Sequence, residues 1–230
     1  MFNNVVYFII ALLLFNIHNP DPAPGHEAGY DLLLLMIGWV LFFLCCRVSF
    51  RRLTSRYGVD GDENGRLSHE YQGLVLRLSV LAVFLFALDI FVFELKSWIQ
   101  MIPGMKAFSV LQGIVALSVF FFYLSTLWAF AHRAYSGAFK TRISRREFIL
   151  SNIKLNMPIL FPWVVLSFIY DLIALSRWSG LESFLNRPEG QIPFFALFLI
   201  VLMIFMPRFI QYWWGCRPLE TSERVRELEF

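Results

Sequence analysis

Six apolar runs, separated by polar or proline-rich stretches, organise this chain: residues 2–17, 30–50, 74–95, 108–131, 157–176 and 192–214. A helix must carry about 20 mainly apolar residues to cover roughly 30 Å of hydrocarbon at 1.5 Å per residue. Five of the runs meet that length and the first comes close. The first run is followed by Asn19-Pro-Asp-Pro-Ala-Pro24, which stops a helix, and it has neither a basic leading segment nor a small-residue cleavage site behind it. It is read as a retained, short spanning helix, with a removed signal peptide as the alternative. The pattern thus predicts an all-α polytopic membrane protein of about six transmembrane helices.

Composition strengthens this prediction. Apolar residues make up 58% of the 230 and charged ones 16%, against about 25% charged in soluble domains, and the mean hydropathy is +0.61. The distribution of charge matters more than the net +3. Basic residues crowd the segments after runs two, four and six: Arg47, Arg51, Arg52, Arg56 and Arg66, then Arg133, Lys140, Arg142, Arg145, Arg146 and Lys154, then Arg208, Arg217, Arg224 and Arg226. The opposite segments hold only Lys96, Lys106, Arg177 and Arg187. Basic segments stay cytoplasmic, so both termini are expected in the cytoplasm, with residues 1–214 as the membrane domain and 215–230 as a juxtamembrane linker with a short amphipathic helix. Trp98, Trp128, Trp178, Tyr212, Trp213 and Trp214 fall near the ends of the runs, where aromatic belts are expected.

Familiar catalytic patterns are missing. The chain has no phosphate-cradling glycine loop and no nucleophile elbow. His69-Glu70 resembles the start of a zinc-hydrolase helix, but the position that would need a second histidine is Gly73. In Val59–Gly65 the alternating Asp60, Asp62 and Asn64 look like a calcium loop, but Tyr71 stands where the closing glutamate would be. Cys45, Cys46 and Cys216 read as reduced cysteines at the membrane boundary. No metal site within the chain and no nucleic-acid partner are expected.

Ionisable residues inside apolar runs are unfavourable by about 2.5–3.5 kcal/mol at the bilayer centre, so each needs an explanation. Arg77 lies about one turn inside the third run and can snorkel to the headgroups. Asp89 and Glu94 lie in the outer third of that run, and Asp171 in the outer third of the fifth, at similar depth, with Lys96 and Arg177 nearby. These residues form the candidate intramembrane polar site: Asp89, Asp171, Glu94 and Arg177. They either line an outer pocket or ion path, or make buried polar contacts that fix helix packing. Pro158, Pro162 and Pro207 mark places where runs five and six start or kink.

The last run leads through Gln211-Tyr-Trp-Trp214 into Arg217-Pro218-Leu219 and then Glu223-x-x-Arg226-Glu-Leu-Glu229. Val225 and Leu228 share a helical face, but so short a helix needs a partner. Arg217, Pro218, Leu219, Val225 and Leu228 therefore form a candidate docking tail. This order of residues, with Ser151-Asn152, Pro158-Ile-Leu-Phe-Pro-Trp163 and Asn186-Arg-Pro188, resembles the membrane region of HtpX-like and CAAX prenyl protease-like zinc metallopeptidases, from about residue 85 onward. The resemblance implies a multi-span membrane region that leads into a cytoplasmic zinc-dependent catalytic part. The two histidines, the glutamate and the third ligand of that part have no counterpart among these 230 residues, so zinc is expected only in the catalytic part.

The expected function is a membrane-anchoring, substrate-presenting region in a bacterial cytoplasmic membrane. Its partners would be the bilayer, a catalytic domain and membrane-protein substrates. The alternatives are a small transporter or channel using Asp89 and Asp171, or a scaffold subunit recruiting a cytoplasmic protein.

Overall fold

A computed structural model describes residues 5–17, 28–57, 66–105, 108–176, 180, 183–184 and 187–214. The described residues are helical and contain no strand. This follows from the apolar runs: in lipid a backbone must satisfy its own N–H and C=O groups, and a helix does so within one segment. In chain order the helices are α1 (Val5–Ile17), α2 (Ala28–Tyr57), α3 (Arg66–Phe91), α4 (Leu95–Met101), α5 (Ser109–Phe139), α6 (Arg145–Asn156), α7 (Leu160–Leu175) and α8 (Pro188–Trp214). A 3₁₀ turn, Met157–Ile159, joins α6 to α7.

Among the described residues four helices, α2, α3, α5 and α8, are long and apolar enough to cross a membrane. The pair α6–α7, bent by 53° at the 3₁₀ turn, makes a fifth if it is one broken span. Helix α1, with 13 described residues, rises only about 20 Å. The molecule fits a multi-pass helical membrane protein.

Helix α5 is the hub, packing against α1, α2, α3, α4, α6 and α7. Its 31 residues rise about 46 Å, well beyond the hydrocarbon. Phe120 meets Phe8 of α1 and Phe86 of α3, each at 5.3 Å between ring centroids. At the basic end Tyr135 packs at a tilt on Phe148 of α6, with ring centroids 4.8 Å apart, and meets Tyr71 of α3 at 6.0 Å. Helices α2 and α5 run parallel, with Phe43 on Phe130 at 5.0 Å and Trp39 Nε1 donating to Thr126 Oγ1 at 3.1 Å.

Three boundaries differ from the sequence-based expectation. The third run was expected to stay helical through Leu95, but α3 ends at Phe91 because Leu88 O accepts both the Val92 and Phe93 N–H groups, at 2.9 Å each. Glu94 therefore lies outside the helix, in a left-handed turn (φ 50°) that leads into α4. The basic stretch after run four was expected to be a loop, yet Arg145–Asn156 is a helix. Ser144 Oγ caps it by accepting the Glu147 N–H at 3.2 Å, and Phe148, Asn152 and Asn156, four residues apart, are buried on one face. Trp128, expected in the headgroup belt, is a core residue with 1% exposure because α5 continues eleven residues past it to Phe139.

Candidate functional site: a polar cavity at the far end

Two of the residues grouped by sequence, Asp89 and Asp171, have different surroundings. Phe86 packs on Phe120 and Tyr71 faces Tyr135, so a step forward along α3 is a step back along α5, and Asp89 lies level with Leu117. That level is eight residues, about 12 Å, inward from the start of α5. Asp89 is buried and faces Tyr123, beside Gly38 of α2, where a Cβ would stand 3.6 Å from the tyrosine hydroxyl.

Asp171 is instead at the very start of α5. Its Oδ1 accepts the Ser109 N–H at 3.0 Å and the Ser109 hydroxyl at 2.6 Å, and its Oδ2 accepts the Val110 N–H at 2.9 Å. Phe108, the residue that precedes α5, has no capping side chain. A carboxylate from α7 thus does across helices what a local cap does, satisfying two otherwise orphaned N–H groups and complementing the positive helix end. Asp89 and Asp171 thus meet different partners, Tyr123 within the helix core and the backbone at the start of α5. Arg177 and the docking tail (Arg217, Pro218, Leu219, Val225, Leu228) lie outside the described residues, as do Cys216 and the Val59–Gly65 loop.

What the far end does hold is a cavity of about 230 Å³ between α1, α4, α5 and α7, lined by Phe15, Asn16, Lys96, Gln100, Ser109, Gln112, Trp163 and Ser167. Lys96 is 7% exposed. Its Nζ donates to Phe15 O at 3.2 Å, at the last turn of α1, and lies 4.7 Å from the centroid of the Phe15 ring. A cation there suits both the negative helix end and the aromatic face. Burial pushes the Lys96 ammonium below the usual lysine range. Gln100 Nε2 donates to Gln112 Oε1 at 3.3 Å, and Gln112 Nε2 to Met105 O at 2.8 Å. Trp163 reaches the backbone of α5 at Gly113, where an ideal Cβ would sit 1.9 Å from a ring carbon. Only glycine leaves room for that approach.

The sequence held a partial signal for this cavity: Lys96 and Gln100 are four residues apart, Ser109 and Gln112 three, so each pair shares a helical face. The arrangement supplies one buried cation, three amides and two hydroxyls, enough to hold a small anionic or carbonyl-bearing group. It lacks the donors for zinc. Among the described residues no three His, Cys, Asp or Glu side chains could hold a metal, and His132 Nε2 is engaged with Ile143 O at 2.7 Å. The described residues therefore offer no set of ligands that fits a zinc centre.

Comparison with protein-family models, with curated proteins and with solved structures found no match.

Proposed function

We propose that this chain is the non-catalytic membrane region of a zinc metallopeptidase of the HtpX-like kind. In this reading it crosses a bacterial cytoplasmic membrane six times with both termini in the cytoplasm, and it presents apolar substrate segments to a catalytic part outside these 230 residues.

One observation carries the reading. Between α7 and α8 lies an apolar cleft of about 470 Å³, walled by Phe161, Pro162, Val165, Phe198, Val201 and Phe205, with Arg208 and Tyr212 near its basic end. Trp213 Nε1 donates to Lys154 O at 2.8 Å, which ties the end of α8 to α6 beside that cleft. Helix α8 therefore ends next to the cleft. An apolar segment of a membrane protein suits such walls by shape and solvation, and its cytoplasmic end would emerge beside the linker. The transporter alternative loses support because the Asp171 carboxylate is occupied as a cap.

Photo-crosslinkers at Val165 and Val201 in native membranes test this. Adducts with apolar segments of other membrane proteins are expected. With the catalytic part present, Val201→Trp should reduce cleavage of those proteins while leaving cleavage of a soluble peptide unchanged. Adducts with lipid alone, together with unchanged cleavage, would refute the proposal. Reporter fusions at 18–27, 58–65 and 177–187 test the six-span topology.

A further inference from the structure

The basic end holds a second pocket that substrate presentation does not use. It measures about 600 Å³, lies where α2, α5 and α6 meet, and is lined by Arg47, Arg51, Thr54, Phe130, Arg133 and Arg145, with His132 at its wall. Four arginines from three helices line it, and no carboxylate is among its lining residues. Among the described residues none of the four is in an ion pair. The neighbouring groove between α2 and α3 contrasts with it: Glu70 stands among Arg52, Arg56 and Arg77 there, and Arg56 Nη1 lies 3.7 Å from Glu70 Oε2. The preference of basic residues for one membrane side explains why arginines are at this end. It does not explain why four of them close on one space without a counter-charge, an arrangement that repels itself unless an anion enters.

The face of α2 says what kind of anion. Val40, Leu44, Arg47 and Arg51 follow one another at spacings of four, three and four residues, so they form a single stripe. Val40 and Leu44 are exposed, at 46% and 45%. The stripe is apolar and then basic, the order of a phospholipid's chains and head. From Leu32, where the apolar stretch begins, to Arg47 is fifteen residues, about 22 Å of rise, which brings the guanidiniums within snorkelling reach of the headgroups. Arginine's planar fork suits phosphate oxygens.

We propose that this pocket binds the phosphate of an anionic phospholipid, with Arg47, Arg51, Arg133 and Arg145 around the headgroup and an acyl chain along Val40 and Leu44. The shared chemistry is a phosphate group, so the test separates lipid from free phosphate.

The full chain, purified in a neutral detergent, is incubated with mixed micelles of phosphatidylglycerol and phosphatidylcholine, and retained lipid is read by native mass spectrometry. Wild type should retain phosphatidylglycerol several-fold over phosphatidylcholine. The Arg51→Gln/Arg133→Gln variant should lose that preference, and Arg56→Gln, in the adjacent groove, should keep it. Absence of the preference in wild type overturns the proposal whatever the variants do. So does an equal preference in wild type and the double variant. A parallel melt with inorganic phosphate alone gives the other arm: stabilisation by phosphate without lipid preference overturns the lipid assignment in favour of a soluble phosphate ligand. If the double variant does not stay monodisperse, Arg145→Gln, at the exposed first turn of α6, replaces it with the same expected loss.

Discussion

Helices α5 and α8 are similar in length and apolarity, yet they live in different surroundings. Half of the apolar window of α5 is buried within the protein, and among the described residues none of that of α8 is. In water such a difference would leave α8 unfolded, because an exposed apolar face is unfavourable. In lipid the hydrophobic effect does not distinguish the two, since acyl chains are as apolar as leucine. What separates them is specific packing. Helix α5 has Phe120 wedged between Phe8 and Phe86, a foreign carboxylate at its start, and Gly113 under Trp163. Helix α8 has the Phe161–Phe209 stack at 4.3 Å, the Tyr170–Phe194 contact at 5.6 Å and the Trp213–Lys154 hydrogen bond.

The contrast can be broken most directly with paired truncations. Phe120→Ala removes a fully buried ring and should destabilise the protein by about 3–5 kcal/mol, whereas Phe205→Ala on α8 should stay within about 0.5 kcal/mol. Unfolding by sodium dodecyl sulfate titration from a mild detergent would measure both, and equal effects would erase the distinction. Next in size is Asp171→Ala, which strips the start of α5 of its charged acceptor and should lose about 2–3 kcal/mol. Asp171→Asn should lose less, since one oxygen remains to accept. The same variant separates cap from ion path: a cap lowers stability with no change in ion flux into vesicles.

Gly113→Ala should come third, at about 1–3 kcal/mol from overpacking against Trp163, with a shift in tryptophan fluorescence as the ring moves out of the cavity. Trp213→Phe should have little effect on global stability, about 1 kcal/mol or less for one exposed hydrogen bond. It should broaden the distance distribution between spin labels on α6 and α8, and an unchanged distribution would mean that other contacts hold α8.

The smallest effect concerns Lys96. Its folded value lies below its ordinary one near 10.5 because burial disfavours the ammonium. The unfolded chain therefore binds more protons between the two values, so stability rises as pH climbs through that alkaline window. In Lys96→Met this contribution should vanish. A pH series of thermal melts compares the two proteins, and parallel curves would show that the cavity does not perturb the lysine.

Much of this was legible in the residues. Asn156 and Asn152 donate back to the carbonyls four residues earlier, at 2.7 and 2.8 Å, so the amphipathic face of α6 could have been read from Phe148, Asn152 and Asn156. The Ser144-x-x-Glu147 pattern could likewise have marked its start. The role of Asp171 could not. Its partners, Ser109 and Val110, are some sixty residues away, and nothing in their local sequence asks for a carboxylate from α7. The depths of Asp89 and Asp171 were similar on a count of residues from run ends, but the break at Glu94 and the register of Phe86 on Phe120 place Asp89 further inward.

By itself the sequence determined that the chain is helical and apolar along its runs, and which segments carry the positive charge. Hydropathy and charge sign are sums over neighbouring residues, so they need no knowledge of the fold. Only the tertiary structure decided which polar groups meet. Asp171 became a cap, Lys96 rather than Asp89 came to line a cavity, and four arginines from three helices came to share one pocket. Each depends on the rotation and register of helices against one another, which packing sets and a linear pattern does not record.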